Sequence, residues 1–138
     1  GVFSRDTGTG ELTFVEMQQN GVGSVSGLDD PWSVTVSPDG KHVYATGHSD
    51  DAVVVFSRND TTGKLTFEEV QQDGVGPVDG LDGAVSVSVS PDDKHVYATG
   101  VFDHAVVVFS RNGTTGELTF VEVQQDGVGG VEGLSGAV

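Results

Sequence analysis

The chain has 138 residues, with 21 acidic against 6 basic side chains, a formal net charge of −15 and no cysteine. A carboxylate surplus of this size repels both phosphate backbones and anionic lipid headgroups, which argues against nucleic acid and membrane surfaces as partners. Without Cys there is neither a disulfide framework nor a thiolate metal site, and no apolar run approaches the ~18 residues of a membrane-spanning helix.

In chain order the first elements are two short strands, Val2–Ser4 and Glu11–Gln18, followed by a Gly- and Asp-rich linker, Asn20–Pro31. Trp32–Ser37 alternates Val34 and Val36 with Ser33, Thr35 and Ser37, the period-two pattern of a strand with one buried face. Pro38-Asp39-Gly40 is a tight turn, since Pro presets φ and Gly accepts a positive φ. His42–Gly47 is the second strand of this unit, and His48–Asp51 turns the chain into the third, Ala52–Arg58. That strand is a nearly continuous apolar run, as expected between two covering layers. Asn59–Gly63 turns into the fourth strand, Lys64–Gln71, and a linker, Asp73–Gly83, leads to the next unit.

The pattern then repeats at a period of 53 residues. Val-Phe-Ser-Arg stands at 2–5, 55–58 and 108–111, Leu-Thr-Phe at 12–14, 65–67 and 118–120, and Lys-His-Val-Tyr-Ala-Thr-Gly at 41–47 and 94–100. Four short antiparallel strands per unit at such a period is the pattern of a β-propeller blade. A β-solenoid is the main competitor, but its coils are shorter and lack three hairpin turns per repeat. The expected fold is therefore all-β, made of four-stranded antiparallel blades, with about two and a half blades in the chain. Residues 1–20 form a half blade with third and fourth strands only. Residues 21–73 and 74–126 are each a linker plus a full blade, and 127–138 is a linker toward a further blade. Propellers close with roughly 4–8 blades, so the chain reads as a segment of something longer or as a unit that pairs through its open blade edges with copies of itself.

The run Ser-Val-Ser-Pro-Asp-x-Lys-His-Val-Tyr-Ala-Thr-Gly, then Ala-Val-Val-Val-Phe-Ser-Arg, then Thr-Gly-x-Leu-Thr-Phe resembles the blades of the lactonase-like, YVTN-type seven-bladed propellers, the 6-phosphogluconolactonase type among them. The resemblance implies a closed ring and, in the enzymatic branch, His, Arg and acidic residues at one mouth acting on a sugar-acid or muconate lactone. It extends equally to secreted or surface repeat proteins without known activity, hence an extracellular or cell-surface location as an expectation. No catalytic or cofactor-binding residue carries over to a position of this chain. The three arginines, Arg5, Arg58 and Arg111, occupy one repeat position and read as packing or turn residues.

The hairpins alternate in direction, so the long linkers and the turns 48–51 and 101–104 share one face, and the Ser-Pro-Asp turns share the other. The repeats differ most at 48–51 against 101–104 and at Pro31-Trp32 against Ala84-Val85. His42 and His95 recur beside a turn and read as structural. Asp50, Asp51 and Asp103, with His48 or His104 beside them, and Asp79 and Asp82 of the linker are the candidate metal ligands, with Ca²⁺ the cation their oxygens suit.

Near-interchangeable blades leave little room for an asymmetric active site. The reading preferred on this ground is a non-catalytic structural or interaction module that assembles as a homo-oligomer. Part of a lactonase-type hydrolase is the alternative, and a Ca²⁺-dependent surface-binding module a third.

Overall fold

The computed structural model describes residues 1–138 and contains ten strands and no helix. Strands β1 (Val2–Arg5) and β2 (Leu12–Glu16) pair in a two-stranded antiparallel sheet. β3 (Pro31–Val36), β4 (His42–Gly47), β5 (Ala52–Arg58) and β6 (Leu65–Gln72) form a four-stranded meander, hydrogen-bonded in chain order. β7 (Ala84–Val89), β8 (His95–Gly100), β9 (Ala105–Arg111) and β10 (Leu118–Gln125) repeat it. These are the half blade and two full blades expected from the repeat, with strand ends displaced by a residue or two. β3 starts at Pro31, a position where a missing N–H is tolerated because Pro is at home in the first residue of a strand.

Each third–fourth strand pair carries a bulge at the same repeat position. Val55 faces Glu69 while Phe56 faces Phe67, so Glu68 is the extra residue; Val121 and Val15 are extra in the other two pairs. The inserted residue inverts the side-chain alternation beyond it. Leu65 and Phe67 therefore point toward the preceding blade, whereas Glu69 and Gln71 point toward the following one. There Glu69 accepts the Leu118 amide at 2.6 Å and Gln71 donates to the Leu118 carbonyl at 3.1 Å. Glu16 and Gln18 hold Leu65 in the same way, at 2.7 and 3.1 Å.

The core lies between blades rather than within one. Tyr44, Val53 and Val55 of the first full blade pack against Val87, Val96, Val107, Phe109 and Leu118 of the second, with Val78 and Leu81 of the linker closing the layer. A smaller cluster around Val54 and Phe56 covers the other face of β5. The linker approaches so closely that a side chain on Gly80, at φ +96°, would collide with Val123 and Val107.

At the turn end of this boundary the Arg111 side chain is fully buried. Its Nε donates to the Tyr44 hydroxyl at 2.7 Å, and that hydroxyl donates to the Gly116 carbonyl at 2.8 Å. One Nη reaches Nδ1 of His42 at 2.7 Å and the carboxylate of Asp39 at 3.3 Å; the other pairs with Asp93 at 3.0 Å. Asp39, His42 and Tyr44 belong to the first full blade and Arg111 to the second, so the guanidinium clasps the two together.

Because Arg111 is the donor, Nδ1 of His42 must be the acceptor, and burial followed by the neighbouring guanidinium pushes the His42 pKa down. The carboxyl of Asp39 lies well below the ordinary carboxylate range. Its own desolvation opposes this but is outweighed by the Ser37 hydroxyl, the Lys41 amide and Arg111. Both groups bind fewer protons folded than unfolded, so both favour the folded state at higher pH. The melting temperature is expected to fall as pH drops below the unfolded His value of about 6.5, and again below about 4 as Asp39 must be protonated. A His42→Gln variant should lose the first slope and keep the second in thermal melts from pH 8 to 3. An unchanged first slope would mean that His42 titrates normally in the fold.

Candidate functional site

On the face that carries the linkers, the residues at which the two blades diverge come together. Trp32 is the second residue of β3, and its indole stacks on the His48 imidazole at 4.9 Å with planes 22° apart. Phe102, from the next blade, meets the same imidazole edge-on at 5.6 Å. Trp32 and Phe102 are 60% and 63% exposed, and Trp32 also lines the cleft beside the half blade. Asp30 completes the group: its carboxylate accepts from Trp32 Nε1 at 3.1 Å and lies 3.7 Å from His48 Nδ1.

The local sequence explains the placement. Asp30 sits at φ +51°, in the left-handed region, which sends the chain from the linker directly into β3. The β4–β5 turn is tied back to the same linker, because the His48 amide donates to the Asp30 carbonyl at 3.0 Å. In the second blade Gly83 takes the place of Asp30, and the Phe102 ring packs so closely over it that a Cβ there would be 2.6 Å from the ring. Blade stacking thus delivers one aromatic group from each blade to one imidazole and one carboxylate.

The acidic residues singled out from sequence have other partners. Asp50 accepts the Asp29 amide at 2.8 Å and the Asn20 side chain at 3.2 Å; its repeat counterpart Asp103 accepts the Asp82 amide at 2.9 Å. Asp51 accepts the Gly83 amide at 2.8 Å, and His104, at the same repeat position, accepts that of Gly136 at 3.1 Å. These side chains pin each linker to a β-turn. Asp79 is exposed on the linker. Asp82 has its pKa raised by partial desolvation and then by the carboxylates of Asp51, Asp103 and Asp73. No group of three or more His, Asp or Glu side chains converges as a metal cage would require. Of the candidate metal-site residues named from sequence, only His48 joins the aromatic group, beside Trp32 and Phe102 from the divergent positions. Asp30 escaped notice, although its place beside the divergent Pro31-Trp32 was the available signal. Asp39 and Tyr44 escaped because each recurs in the next blade.

A second concavity, of about 290 Å³, opens between the half blade and β3–β4, lined by Leu28, Val34, Val43, Ala45, Phe56 and Leu65. The counterparts of the last five in the second blade, Val87, Val96, Ala98, Phe109 and Leu118, are at most 5% exposed. The cleft is therefore blade-packing surface, where a neighbouring blade's first and second strands would lie.

Four-stranded meanders stacked about a common boundary, with linkers and divergent turns on one face, define a β-propeller segment. Residues 1–82, more than half of the sequence, match the family model for the lactonase, 7-bladed β-propeller, and the chain belongs to that family. Its structure is similar to that of the periplasmic gluconolactonase of Pseudomonas aeruginosa, with 25% identity and a TM-score of 0.60, over 69% of this chain and 26% of that one. It is similar to a protein of Bacteroides uniformis described provisionally as a 6-phosphogluconolactonase, with 25% identity and a TM-score of 0.67, over 91% of this chain and 34% of the other. A protein of unknown function from Desulfotomaculum acetoxidans shares the fold at 22% identity, TM-score 0.68, over 91% and 34%. The chain thus spans about a quarter to a third of the length of these structures.

These similarities correct the functional expectation. The preference for a non-catalytic structural module does not stand against a lactonase family match and gluconolactonase-type neighbours. That preference rested on the near-identity of the blades. That identity does not extend to Asp30, Trp32 and His48, whose counterparts in the second blade are Gly83, Val85 and Val101.

Proposed function

We propose that this chain contributes blades to a lactonase-type hydrolase that opens a sugar-acid lactone, with the substrate held at Trp32, His48, Asp30 and Phe102. The observation that carries the reading is the open aromatic–imidazole–carboxylate group on the linker face, at the positions where the two blades differ. Each part suits an aldonolactone. An exposed indole offers an apolar face to the C–H side of a sugar ring, and a carboxylate accepts hydrogen bonds from its hydroxyls. His48, oriented by Asp30, takes a proton from water as the water oxygen bonds to the lactone carbonyl carbon. Collapse of the tetrahedral adduct breaks the bond between the carbonyl carbon and the ring oxygen. The proton passes to that oxygen, leaving the open hydroxy acid.

Trp32 is the only tryptophan in the chain, so its fluorescence reports on the site directly. Freshly dissolved glucono-δ-lactone is expected to shift the emission saturably, and His48→Ala to weaken that response at least tenfold. The open-chain gluconate should bind less well. Emission that stays unchanged up to about 10 mM lactone, which means binding weaker than about −3 kcal/mol, would overturn the assignment of the site.

A further inference from the structure

All six Lys and Arg side chains stand at one end of the blades. Arg5, Arg58 and Arg111 close the third strands, and Lys41, Lys64 and Lys94 lie in or beside the neighbouring hairpins. The linker end, where Trp32, His48 and Phe102 meet, carries carboxylates and no Lys or Arg. A strand of six or seven residues separates the two ends. At about 3.3 Å per residue that is roughly 20 Å, more than two Debye lengths at physiological salt, so the field of the cations is largely screened at the aromatic group.

The carboxylates reach it directly. Asp30 lies 3.7 Å from His48 Nδ1 and accepts from the Trp32 indole. Asp50 holds the Asp29 amide at 2.8 Å, and the Asp29 carbonyl accepts the amide of Ser49, next to His48, at 3.3 Å. On the Phe102 side, Asp51 accepts the amide of Gly83, the residue under the Phe102 ring, at 2.8 Å. The Asp82 carbonyl accepts the Phe102 amide at 3.1 Å, and Asp103, which follows Phe102 in the chain, takes the Asp82 amide at 2.9 Å. Carboxylates from both blades thus border the three rings. Their mutual field is felt within the group: partial desolvation, then Asp51, Asp103 and Asp73, push the Asp82 carboxyl up.

We infer that the Trp32–His48–Phe102 face excludes anions, so that it admits an uncharged sugar lactone and turns away the phosphorylated counterpart. The identity of the lactone rests on the reading above, whereas the exclusion of anions rests on the charges around the rings. A phosphate monoester brings a charge of about −1.5 to −2 at neutral pH. No Lys or Arg stands at this end of the chain to pair with it. An uncharged lactone is indifferent to the field, and its hydroxyls find acceptors in the same carboxylates. Hydrolysis converts the neutral ring into a carboxylate, so the field that tolerates the substrate helps to expel the product.

Collisional quenching of the single tryptophan, Trp32, reads the potential at the site without any lactone. The quenching constants of caesium and iodide are each divided by the constant for free N-acetyltryptophanamide, which removes the quenchers' own efficiencies. At an ionic strength of about 0.1 M the caesium ratio is expected to exceed the iodide ratio at least about threefold. Asp82→Lys should narrow that margin. Asp60→Lys changes the net charge equally at the far end and should leave the margin intact; both positions are exposed. Iodide that quenches as well as caesium, or two variants with the same effect, would overturn the inference. Emission titrations then compare glucono-δ-lactone with its 6-phosphate. The uncharged compound should bind at least about threefold more tightly at about 0.1 M ionic strength, with the margin shrinking toward about 1 M. Equal binding of the two at the lower salt would also overturn the inference. No response to either, with caesium still the better quencher, would retain the exclusion of anions and overturn the lactone reading.

Discussion

Arg111→Ala is expected to destabilise the protein by about 3–5 kcal/mol, the cost of removing one partner from a buried ion pair. In a chain of this size that corresponds to a fall of about 10–17 °C in melting temperature. The arginine is fully enclosed, and its removal leaves the carboxylates of Asp39 and Asp93 without their cation and the Tyr44 hydroxyl without its 2.7 Å donor. All three stand at the boundary that holds the two blades together, and both carboxylates are largely screened from solvent, at 23% and 25% side-chain exposure. The same substitution at Arg58 is the control. Arg58 is half-buried, and its guanidinium has one protein partner, the Gly40 carbonyl at 3.1 Å. The carboxylate that pairs with Arg111 at this point is Asp93, and the repeat puts Gly40 in its place. Arg58→Ala should therefore cost about 1 kcal/mol or less, in line with partly exposed hydrogen bonds. Chemical denaturation of the two variants measures the contrast. Equal losses would mean that the guanidinium acts within its own blade rather than as a clasp.

Phe109→Ala should be nearly as damaging, at about 3–5 kcal/mol, the range for truncating a buried aromatic side chain. Phe109 is 0% exposed and meets Phe120 edge-on at 6.2 Å, at the centre of the layer between blades. β-sheet hydrogen bonding holds the surrounding backbone in place, so the cavity has little scope to collapse. Phe56 and Phe3 occupy the same repeat position. Phe56 is 2% exposed but borders the open cleft beside the half blade, into which the surrounding side chains can relax. Phe3 is 50% exposed. The expected order of loss for truncation to Ala is Phe109, then Phe56, then Phe3, the last within about 0.5 kcal/mol. A ranking in which Phe3 matches Phe109 under monomeric conditions would show that exposure is not what separates them.

The strand order, the turn positions and the blade architecture were legible in the residues because each is local. Val34 and Val36 alternate with polar neighbours, Pro38-Asp39-Gly40 closes a hairpin, and the 53-residue period repeats the unit. The bulges were less visible. Nothing distinguishes Glu68 or Val121 as the residue left over in its strand pair, yet that residue decides that Glu69 and Gln71 face the following blade. The candidate metal ligands illustrate the reverse limit: Asp50, Asp51 and Asp103 have the right chemistry for a cation, but linker amides lie closer to hand.

What the sequence by itself determined is everything that depends on neighbours within about one blade: strands of period two, turns where Gly and Pro allow them, and arginine, histidine and tyrosine at fixed repeat positions. What only the tertiary structure decided is what those residues experience. Trp32, His48 and Phe102 are distant in the chain and meet because one blade stacks on the next. Arg5, Arg58 and Arg111 share a sequence context, but the adjoining blade's Tyr44 and His42 enclose only Arg111. The physical reason is that desolvation and side-chain pairing are set by the surface brought against a residue, and in a propeller that surface belongs to another blade.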